Sequence, residues 1–289
     1  SIGIEDVLKE HFDEENIVYW MAFQILMGNV DTQNRNVYLY SPLNSDIWYF
    51  IAWDNDGCLM RPEYELRNFS DQNSWEKGIS NYWGNILFQR CLKSRSFREK
   101  LNDAILDLRE YLNKDMLTSK IESYKNVLKP YLYLMPDAEY EPLTSEQYDQ
   151  IAASLPDEIE KNYQLYLESL ETPMPFYIGV PTIDGDKLKF NWDVSYDLDA
   201  EDITYSVEVA GDYLFRDVIY QNTTLTVPEA EMDLPKAGQY FVRVRATNTS
   251  GKTQDAFDYY VTDEGKYYGM RCFYITEDST VEEDDYEEG

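Results

Sequence analysis

Three polar side chains near the start of the sequence have the types and spacing that phosphoryl transfer requires. Asp31 lies in the polar run of residues 29–36, Asn36 follows five residues later, and Asp54 stands in the motif of residues 53–57, Trp-Asp-Asn-Asp-Gly. Phosphoryl transfer uses a divalent metal ion that holds the nucleotide phosphates and a carboxylate beside the acceptor hydroxyl. Magnesium binds one or two carboxylates together with oxygens from substrate and water. The sequence therefore predicts that Asp31 orients the acceptor hydroxyl and that Asn36 and Asp54 bind the metal.

The segment between these residues predicts a β-hairpin. Residues 37–40 and 47–53 are rich in strand-forming side chains, and residues 42–46 have the composition of a turn. A hairpin returns the chain to where it started, so we expect Asp54 to come back towards Asp31. The same order, an Asp, an Asn five residues later and a second Asp beyond the loop, is found in the catalytic region of protein kinases.

Each of these residues also has a purely structural interpretation. A single Asp or Asn beside a strand is commonly a turn or cap residue. Taken alone, residues 54–57 are typical of a type I′ turn or of a calcium loop. A calcium loop that begins at Asp54 requires glycine at its sixth position, where the sequence has Leu59, so we set it aside. The joint spacing favours the kinase-like interpretation.

Helical periodicity precedes the polar run. Residues 4–27 have the pattern of helices, with Asn16 predicted as the N-cap of a second helix over 17–27 and Gly28 as its end. The second helix is apolar on nearly every face, which is typical of a helix buried in a core.

Helical periodicity returns beyond the hairpin. Residues 59–74 are expected to be irregular, and apolar residues at three- and four-residue steps predict helices over 75–130. A last helix is expected to begin near Thr144 and to run to about Leu170, with a break or restart at Pro156.

The pattern changes to period two after a linker at residues 172–175. Alternating segments separated by Asp-Gly, Gly-Asp and Ser-Gly turns predict about seven short strands and a β-sandwich. Trp192 and the runs at residues 234–240 and 241–248 resemble a fibronectin type III module. Leu234, six residues before Tyr240, resembles the tyrosine corner of that fold, in which the tyrosine hydroxyl bonds back to nearby backbone.

The sequence thus predicts a multi-domain α+β protein. Residues 1–172 form a mostly helical domain with a small hairpin, and residues 173–262 form the all-β fibronectin type III sandwich, expected to be a spacer or adhesive unit. Residues 263–289 add a further strand, expected within 266–275, and an acidic tail that we expect to be extended and solvated.

Composition limits the partners. The chain has 25 basic and 55 acidic residues, a net charge of −30, so nucleic acid is not expected as a partner. The sequence has no apolar run long enough to span a membrane. Its three cysteines are too widely separated for a disulfide framework or zinc site and are interpreted as ordinary thiols. Because the chain opens within a helical pattern and without Met, we interpret it as a piece of a longer protein.

The first domain also resembles the spore coat protein H (CotH) kinase family. The resemblance rests on residues 28–31 with 36–40, on residues 48–57, and on the helical segment 87–112, and it covers about residues 1–170. It implies an atypical kinase C-lobe that transfers a phosphoryl group from ATP to Ser or Thr of a secreted or coat protein, with Mg²⁺ or Mn²⁺. Asp31 would be the catalytic acid, and Asn36, Asp54 and Asp56 the metal ligands.

Two further expectations follow from the resemblance. The glycine-rich loop and strand lysine of a kinase N-lobe are missing from this sequence, so we expect little or no activity from it alone. By analogy with the family, the protein is expected to be extracellular or at a bacterial cell surface. The alternative function is a non-catalytic surface binding or scaffold protein that keeps the fold. A glycosidase using Asp31 and Asp54 beside Trp48, Trp53, Trp75 or Trp83 is a weaker alternative.

Overall fold

The structure, a computed structural model, describes residues 2–33, 35–67, 73–263 and 265–283. The chain divides into two compact units, one of residues 1–70 with 77–168 and one of residues 71–76 with 169–289. The first is mostly helical and the second is β-rich, which confirms the α+β class. Most of the predicted acidic tail, from residue 284 onward, lies outside the described residues.

Helices make up most of the first unit. They are α1 (Ile4–His11), α2 (Glu14–Leu26), α3 (Arg61–Arg67), α4 (Ile86–Lys93), α5 (Arg95–Tyr111), α6 (Lys114–Leu132) and α7 (Ser145–Glu171). Short 3-10 turns lie at Val30–Thr32, Asn55–Gly57, Ser80–Tyr82 and Asp137–Glu139. None of the described helices has the length and apolar character needed to cross a bilayer.

The hairpin forms as predicted. Strands β1 (Tyr38–Tyr40) and β2 (Tyr49–Ile51) pair antiparallel, with Tyr38 opposite Ile51 and Tyr40 opposite Tyr49. Only Phe50 of β2 is buried. Its ring contacts Trp20 of α2, with centroids 4.9 Å apart, so Phe50 packs the hairpin against α2.

The prediction that Asn16 caps α2 is wrong. The helix begins earlier, and the side chain of Asp13 caps it by accepting a hydrogen bond from the backbone N of Asn16 at 2.9 Å. Asn16 lies inside the first turn, where its Oδ1 accepts from the Phe50 N at 2.6 Å and its Nδ2 donates to the Phe50 O at 3.1 Å. The side chain therefore anchors β2 to α2.

The structure differs from two other local predictions. Residues 61–67 form helix α3 where irregular chain was expected. Helix α7 continues through Pro156 without the predicted break. The start of α7 is as predicted, because Thr144 Oγ1 accepts from Gln147 N at 3.2 Å and Gln147 Oε1 accepts from Thr144 N at 2.8 Å. This is the reciprocal capping box that the sequence indicates.

Strands form the second unit. They are β3 (Thr182–Asp184), β4 (Lys187–Asn191), β5 (Ile203–Ala210), β6 (Val218–Leu225), β7 (Glu229–Asp233), β8 (Gly238–Asn248), β9 (Thr253–Asp255), β10 (Tyr259–Thr262), β11 (Gly265–Tyr268), β12 (Met270–Ile275) and β13 (Val281–Glu283). A six-stranded sheet has the order β13-β12-β8-β5-β6, with β9 also paired to β8. A three-stranded sheet has the order β3-β4-β7, and β10 pairs with β11.

One core is shared by the two larger sheets. Phe190 of β4 packs edge to face on Phe273 of β12, with ring centroids 6.0 Å apart, and both are buried with Trp192. The hydroxyl of Tyr240 donates to the Lys236 O at 2.9 Å, which is the hydrogen bond expected of a tyrosine corner. The predicted single strand at residues 266–275 is two strands, of which β12 pairs with β8 inside the large sheet.

Candidate active site

The loop that carries Asp31 begins where α2 ends. Gly28 has a φ of +61°, and the N of Asn29 donates to the Gln24 O at 3.0 Å, so glycine ends the helix as predicted. Asn29 then caps the 3-10 turn Val30–Thr32, because its Oδ1 accepts from the backbone N of Asp31 at 3.3 Å. The exposed Asp31 carboxylate is therefore not the cap of this turn.

Asp31 and Asn36 are in direct contact. The Asn36 Nδ2 donates to the Asp31 Oδ2 at 2.8 Å, and Asn36 has a φ of +54° that turns its side chain back towards the loop. Because the amide donates through its nitrogen, its carbonyl oxygen stays available as a ligand. The Oδ1 of Asp31 accepts no hydrogen bond from the described residues. The pair therefore presents one carboxylate oxygen and one amide oxygen.

The second loop carries Asp54 and Asp56 after the hairpin. Asp54 precedes the 3-10 turn Asn55–Gly57 with φ +50° and ψ +60°, and its side chain makes no capping hydrogen bond. Both carboxylates are exposed. A left-handed conformation at a non-glycine residue is uncommon and is favoured at functional loops. The loop is a 3-10 turn preceded by a left-handed Asp54 and not the predicted type I′ turn, which needs positive φ at both central residues; both carboxylates are exposed.

A network of neutral amides joins the two loops. Gln24, fully buried in α2, donates from Nε2 to the Asn55 Oδ1 at 3.0 Å. Its Oε1 accepts from the Asn29 Nδ2 at 3.0 Å, and the same Nδ2 lies 3.4 Å from the Asn55 Oδ1. Buried amides whose partners are all supplied fix one arrangement of the chain. Gln24 therefore holds both loops from the helix behind them.

Gly57 brings the loops into backbone contact. A Cβ atom at Gly57 would lie 2.8 Å from the Asn29 Oδ1 and 3.6 Å from the Asp31 Cβ. The N of Leu59 also donates to the Met27 O at 2.8 Å, which adds a main-chain link. The predicted return of the second loop to the first is thus seen at the level of the backbone.

The turn Ser80–Tyr82 supports the first loop from another direction. Asn81 Nδ2 donates to the Val30 O at 3.2 Å, and the Tyr82 hydroxyl lies 3.0 Å from the Thr32 Oγ1. Thr32 and Asn81 are buried, and Tyr82 is 1% exposed. Burial is the main reason that the pKa of the Tyr82 hydroxyl is raised, so it stays neutral and acts through hydrogen bonding.

Cys58 directly follows the second loop and is not a nucleophile. Burial raises the pKa of its thiol to about 12, although a hydrogen bond with Asn29 opposes that change. In the closed loop the thiol is therefore protonated at neutral pH, and it reacts as a thiolate only when local opening exposes it to water. Cys58, Cys91 and Cys272 are all free cysteines, as predicted.

The acidic residues of the two loops do not form a closed metal-binding group in the described parts of the chain. No group of three or more His, Cys, Asp or Glu side chains within the described ranges is placed to hold a metal ion. Asp31, Asp54 and Asp56 are exposed, and no Lys or Arg of the described chain forms an ion pair with them. A few carboxylate and amide oxygens with open positions suit Mg²⁺ bound to nucleotide phosphates, rather than a closed structural site.

Sequence reasoning found the loops and missed their supports. Asp31 and Asn36 are in contact, and among the described residues Asp54 and Asp56 are linked to that pair through the backbone of their loop and through Asn55. The apolar pattern of α2 covers nearly every face and does not single out Gln24. Its signal was available, since a glutamine among buried apolar residues requires polar partners.

The comparisons with known proteins identify the first unit. The family model described as CotH kinase protein matches residues 2–166. No curated protein matches the chain. Among solved structures, the crystal structure of the S-layer protein rSbsC is 16% identical, with 84% of this chain and 31% of that chain covered and a TM-score of 0.19. The surface layer protein SbsC, domains 1-6, is 12% identical, with 95% and 38% covered and a TM-score of 0.18.

The chain spans about a third of the length of these two solved structures, and the TM-scores are too low to indicate a shared fold. The family match is different in kind, because it covers more than half of the chain and includes both site loops with their supporting turn. The chain belongs to the CotH kinase protein family.

Proposed function

We propose that the first unit transfers the γ-phosphoryl group of ATP to a Ser or Thr hydroxyl of a secreted or surface protein. One observation carries the proposal: the Asp31–Asn36 pair, at 2.8 Å, is held beside the exposed carboxylates of the second loop by buried neutral amides. Family membership supports kinase-like chemistry over the glycosidase alternative.

Asp31 is proposed to act on the acceptor. Asn36 occupies its Oδ2, so the Oδ1 is left to accept the hydrogen bond of the acceptor hydroxyl and take its proton. The hydroxyl oxygen bonds to the γ-phosphorus while the bond to the β–γ bridging oxygen breaks and ADP leaves with the electron pair. The amide oxygen of Asn36 and the carboxylates of Asp54 and Asp56 would hold Mg²⁺ or Mn²⁺, which neutralises the phosphate charge when bound.

The chain by itself is proposed to be a weak or inactive enzyme. Kinases bind the nucleotide phosphates with a glycine-rich loop and a lysine on a strand. This sequence has neither of these before α2. The phosphates would then be held mainly through the metal. We therefore propose weak Mg-ATP binding and slow turnover for this chain.

Two conservative variants separate the proposed roles. With Mg-ATP at millimolar concentration, Asp54→Asn is expected to weaken nucleotide binding in calorimetry because it removes a metal ligand. Asp31→Asn is expected to bind Mg-ATP normally but to lose about 10²–10⁴-fold in single-turnover phosphoryl transfer to Ser or Thr. Asp46→Asn, an exposed carboxylate at the hairpin turn, is the matched control and should change neither quantity.

The alternative function is a non-catalytic surface binding protein that keeps the fold. It would be favoured if the wild-type chain and a longer protein containing it both failed to bind Mg-ATP or Mn-ATP. It would also be favoured if Asp31→Asn left phosphoryl transfer unchanged.

The second unit is proposed to be a fibronectin type III domain that serves as a spacer or adhesive unit. Its division into β3-β4-β7 and a larger sheet containing β6-β5-β8 supports this, as does the hydrogen bond from Tyr240 to Lys236. An extracellular or bacterial cell-surface location is proposed by analogy with the family.

A further inference from the structure

A buried carboxylate lies on α7 behind the two site loops. The side chain of Glu158 is 1% exposed and contacts two cations, Arg61 at 3.1 Å and Lys161 at 2.6 Å. A carboxylate removed from water is stable only when paired and hydrogen-bonded. Arg61 opens α3, shortly after Gly57, so this ion pair ties the continuation of the second loop to α7.

Both terminal nitrogens of the Arg61 guanidinium donate hydrogen bonds. Nη1 donates to the Glu158 Oε2 at 3.1 Å, and Nη2 donates to the Asn162 Oδ1 at 2.6 Å. The planar guanidinium holds two acceptors in fixed directions, which a lysine ammonium on a flexible stem does not reproduce. Asn162 is 4% exposed, so this second contact is also shielded from water.

Asn162 extends the link to the first loop. Its Nδ2 donates to the Leu26 O at 2.9 Å, at the end of α2. Gly28 lies so close that a Cβ atom there would be 2.7 Å from the Asn162 Nδ2. One side chain of α7 therefore contacts both Arg61, after the second loop, and the turn that leads into Asp31.

We propose that Arg61 is a positioning residue that, through Glu158 and Asn162, fixes the Asp54–Gly57 loop relative to the turn before Asp31. Its catalytic meaning rests on the proposed function, since the separation it sets is that between the acceptor-binding carboxylate and the metal ligands. The amide network of Gln24 joins the tips of the loops, and Arg61 joins their bases. Geometry at such a site tolerates little displacement.

The chain supplies a matched control, a second cation that pairs with a carboxylate of α7. Lys114 of α6 pairs with Asp157 of α7, next to Glu158, but both side chains are more than half exposed and contact neither loop. Substitution of Lys114 removes a cation that pairs with α7 and leaves the contacts of Asn162 and of the turn at Gly28 unchanged. A general effect of charge on α7 would appear in both variants, and a positioning effect only in the Arg61 variants.

Two native thiols report local and global opening separately. Cys58 directly follows the second loop, and Cys91 is fully buried in α4 of the same unit. Iodoacetamide alkylation of each, followed by mass spectrometry of the full chain under native conditions, gives two rates. The alkylation rate of Cys58 divided by that of Cys91 measures local opening of the second loop independently of global unfolding.

We expect Arg61→Met to raise this ratio by about tenfold or more, and Arg61→Lys to raise it less, because lysine keeps the charge beside Glu158 but loses the second arm. Lys114→Met should leave the ratio unchanged. The Kd for Mg-ATP should weaken by about tenfold in Arg61→Met, since the metal ligands of the loop are no longer held in place.

The outcomes distinguish the two proposals. A ratio unchanged in both Arg61→Met and Arg61→Lys overturns the positioning role, whatever the nucleotide data show. An equal rise in Lys114→Met also overturns it, because the effect would then belong to charge on α7. A raised ratio, in a protein whose wild-type chain and whose longer form both fail to bind Mg-ATP or Mn-ATP, supports the loop attachment and refutes the proposed function.

Discussion

Gly57→Ala tests how tightly the two site loops are packed. The added Cβ would lie 2.8 Å from the Asn29 Oδ1 and 3.6 Å from the Asp31 Cβ. Gly57 does not occupy the left-handed region, so the substitution adds a contact without adding backbone strain. Asn29 cannot simply move away, because its Nδ2 is held by Gln24 at 3.0 Å and its Oδ1 caps the turn at Asp31.

The expected cost follows from these contacts. Displacing the Asn29 side chain weakens at least two hydrogen bonds worth about 1 kcal/mol each. Overpacking a buried site adds about 1–3 kcal/mol when neighbours shift only partly. If Asn29 moves, hydrogen bonds weaken but overpacking is relieved, so the two costs do not add in full. We therefore expect the first unit to lose about 2–4 kcal/mol of stability.

Cysteine alkylation measures this loss in the correct unit. Cys91 is buried in the first unit and Cys272 in the second, so pulsed alkylation across a urea gradient gives separate unfolding midpoints. Gly57→Ala should lower the Cys91 midpoint and leave that of Cys272 unchanged. Gly3→Ala is the control, since its Cβ would lie 3.4 Å from the Asp6 Oδ2, at the edge of ordinary contact.

A double-mutant cycle checks the assigned cause. In an Asn29→Ala background the new methyl group has room, so Gly57→Ala should cost at least about 1 kcal/mol less than in the wild type. Equal costs in the two backgrounds would show that Asn29 is not the group displaced. If the single substitution Gly57→Ala changed the free energy of unfolding by less than about 0.5 kcal/mol, the close approach itself would be refuted.

Two further predictions are tested by hydrogen exchange. Asn16→Ala removes both hydrogen bonds to the Phe50 backbone and should cost the first unit about 1–3 kcal/mol, with faster hydrogen exchange at the Phe50 amide; unchanged exchange would contradict the anchoring role. Burial is the main cause that raises the pKa of Asp258, although Ile178 N and Arg271 oppose it. The folded state therefore holds this proton more tightly than the unfolded chain, and its stabilising contribution is present below the ordinary pKa and is lost as pH rises through the folded-state pKa. The difference in stability between wild type and Asp258→Asn, measured by urea-dependent hydrogen exchange in the second unit, should fall as pH rises over that range, and a flat difference would be the contrary result.

The sequence was sufficient where one local rule decided the outcome. The hairpin followed from two strand-forming runs around a turn, and it pairs Tyr38 with Ile51 and Tyr40 with Tyr49. The end of α2 at Gly28 and the capping box at Thr144 depend on residues within one helical turn. Such features require no knowledge of distant contacts.

Predictions were wrong where a distant contact decided between local options. Asn16 is a good cap by type, but Asp13 takes that role because the Asn16 amide is used by Phe50, 34 positions away. Helix α3 begins with Arg61, whose partners Glu158 and Asn162 lie far along the chain. Pro156 is tolerated within α7, so its helix-breaking tendency is outweighed in the folded chain.

The supports of the site explain why its acidic residues remain available. Had a Lys or Arg joined the two loops by pairing with Asp31 or Asp54, that carboxylate would be neutralised and its oxygens occupied. Gln24, Asn29 and Asn55 fix the loops with amide groups that carry no net charge. The cationic side chain below the loops, Arg61, is paired with Glu158 instead. Under the proposed function, exposed carboxylates that have no cationic partner in the described chain would repel a bare triphosphate and would need a divalent ion to bring nucleotide and loops together.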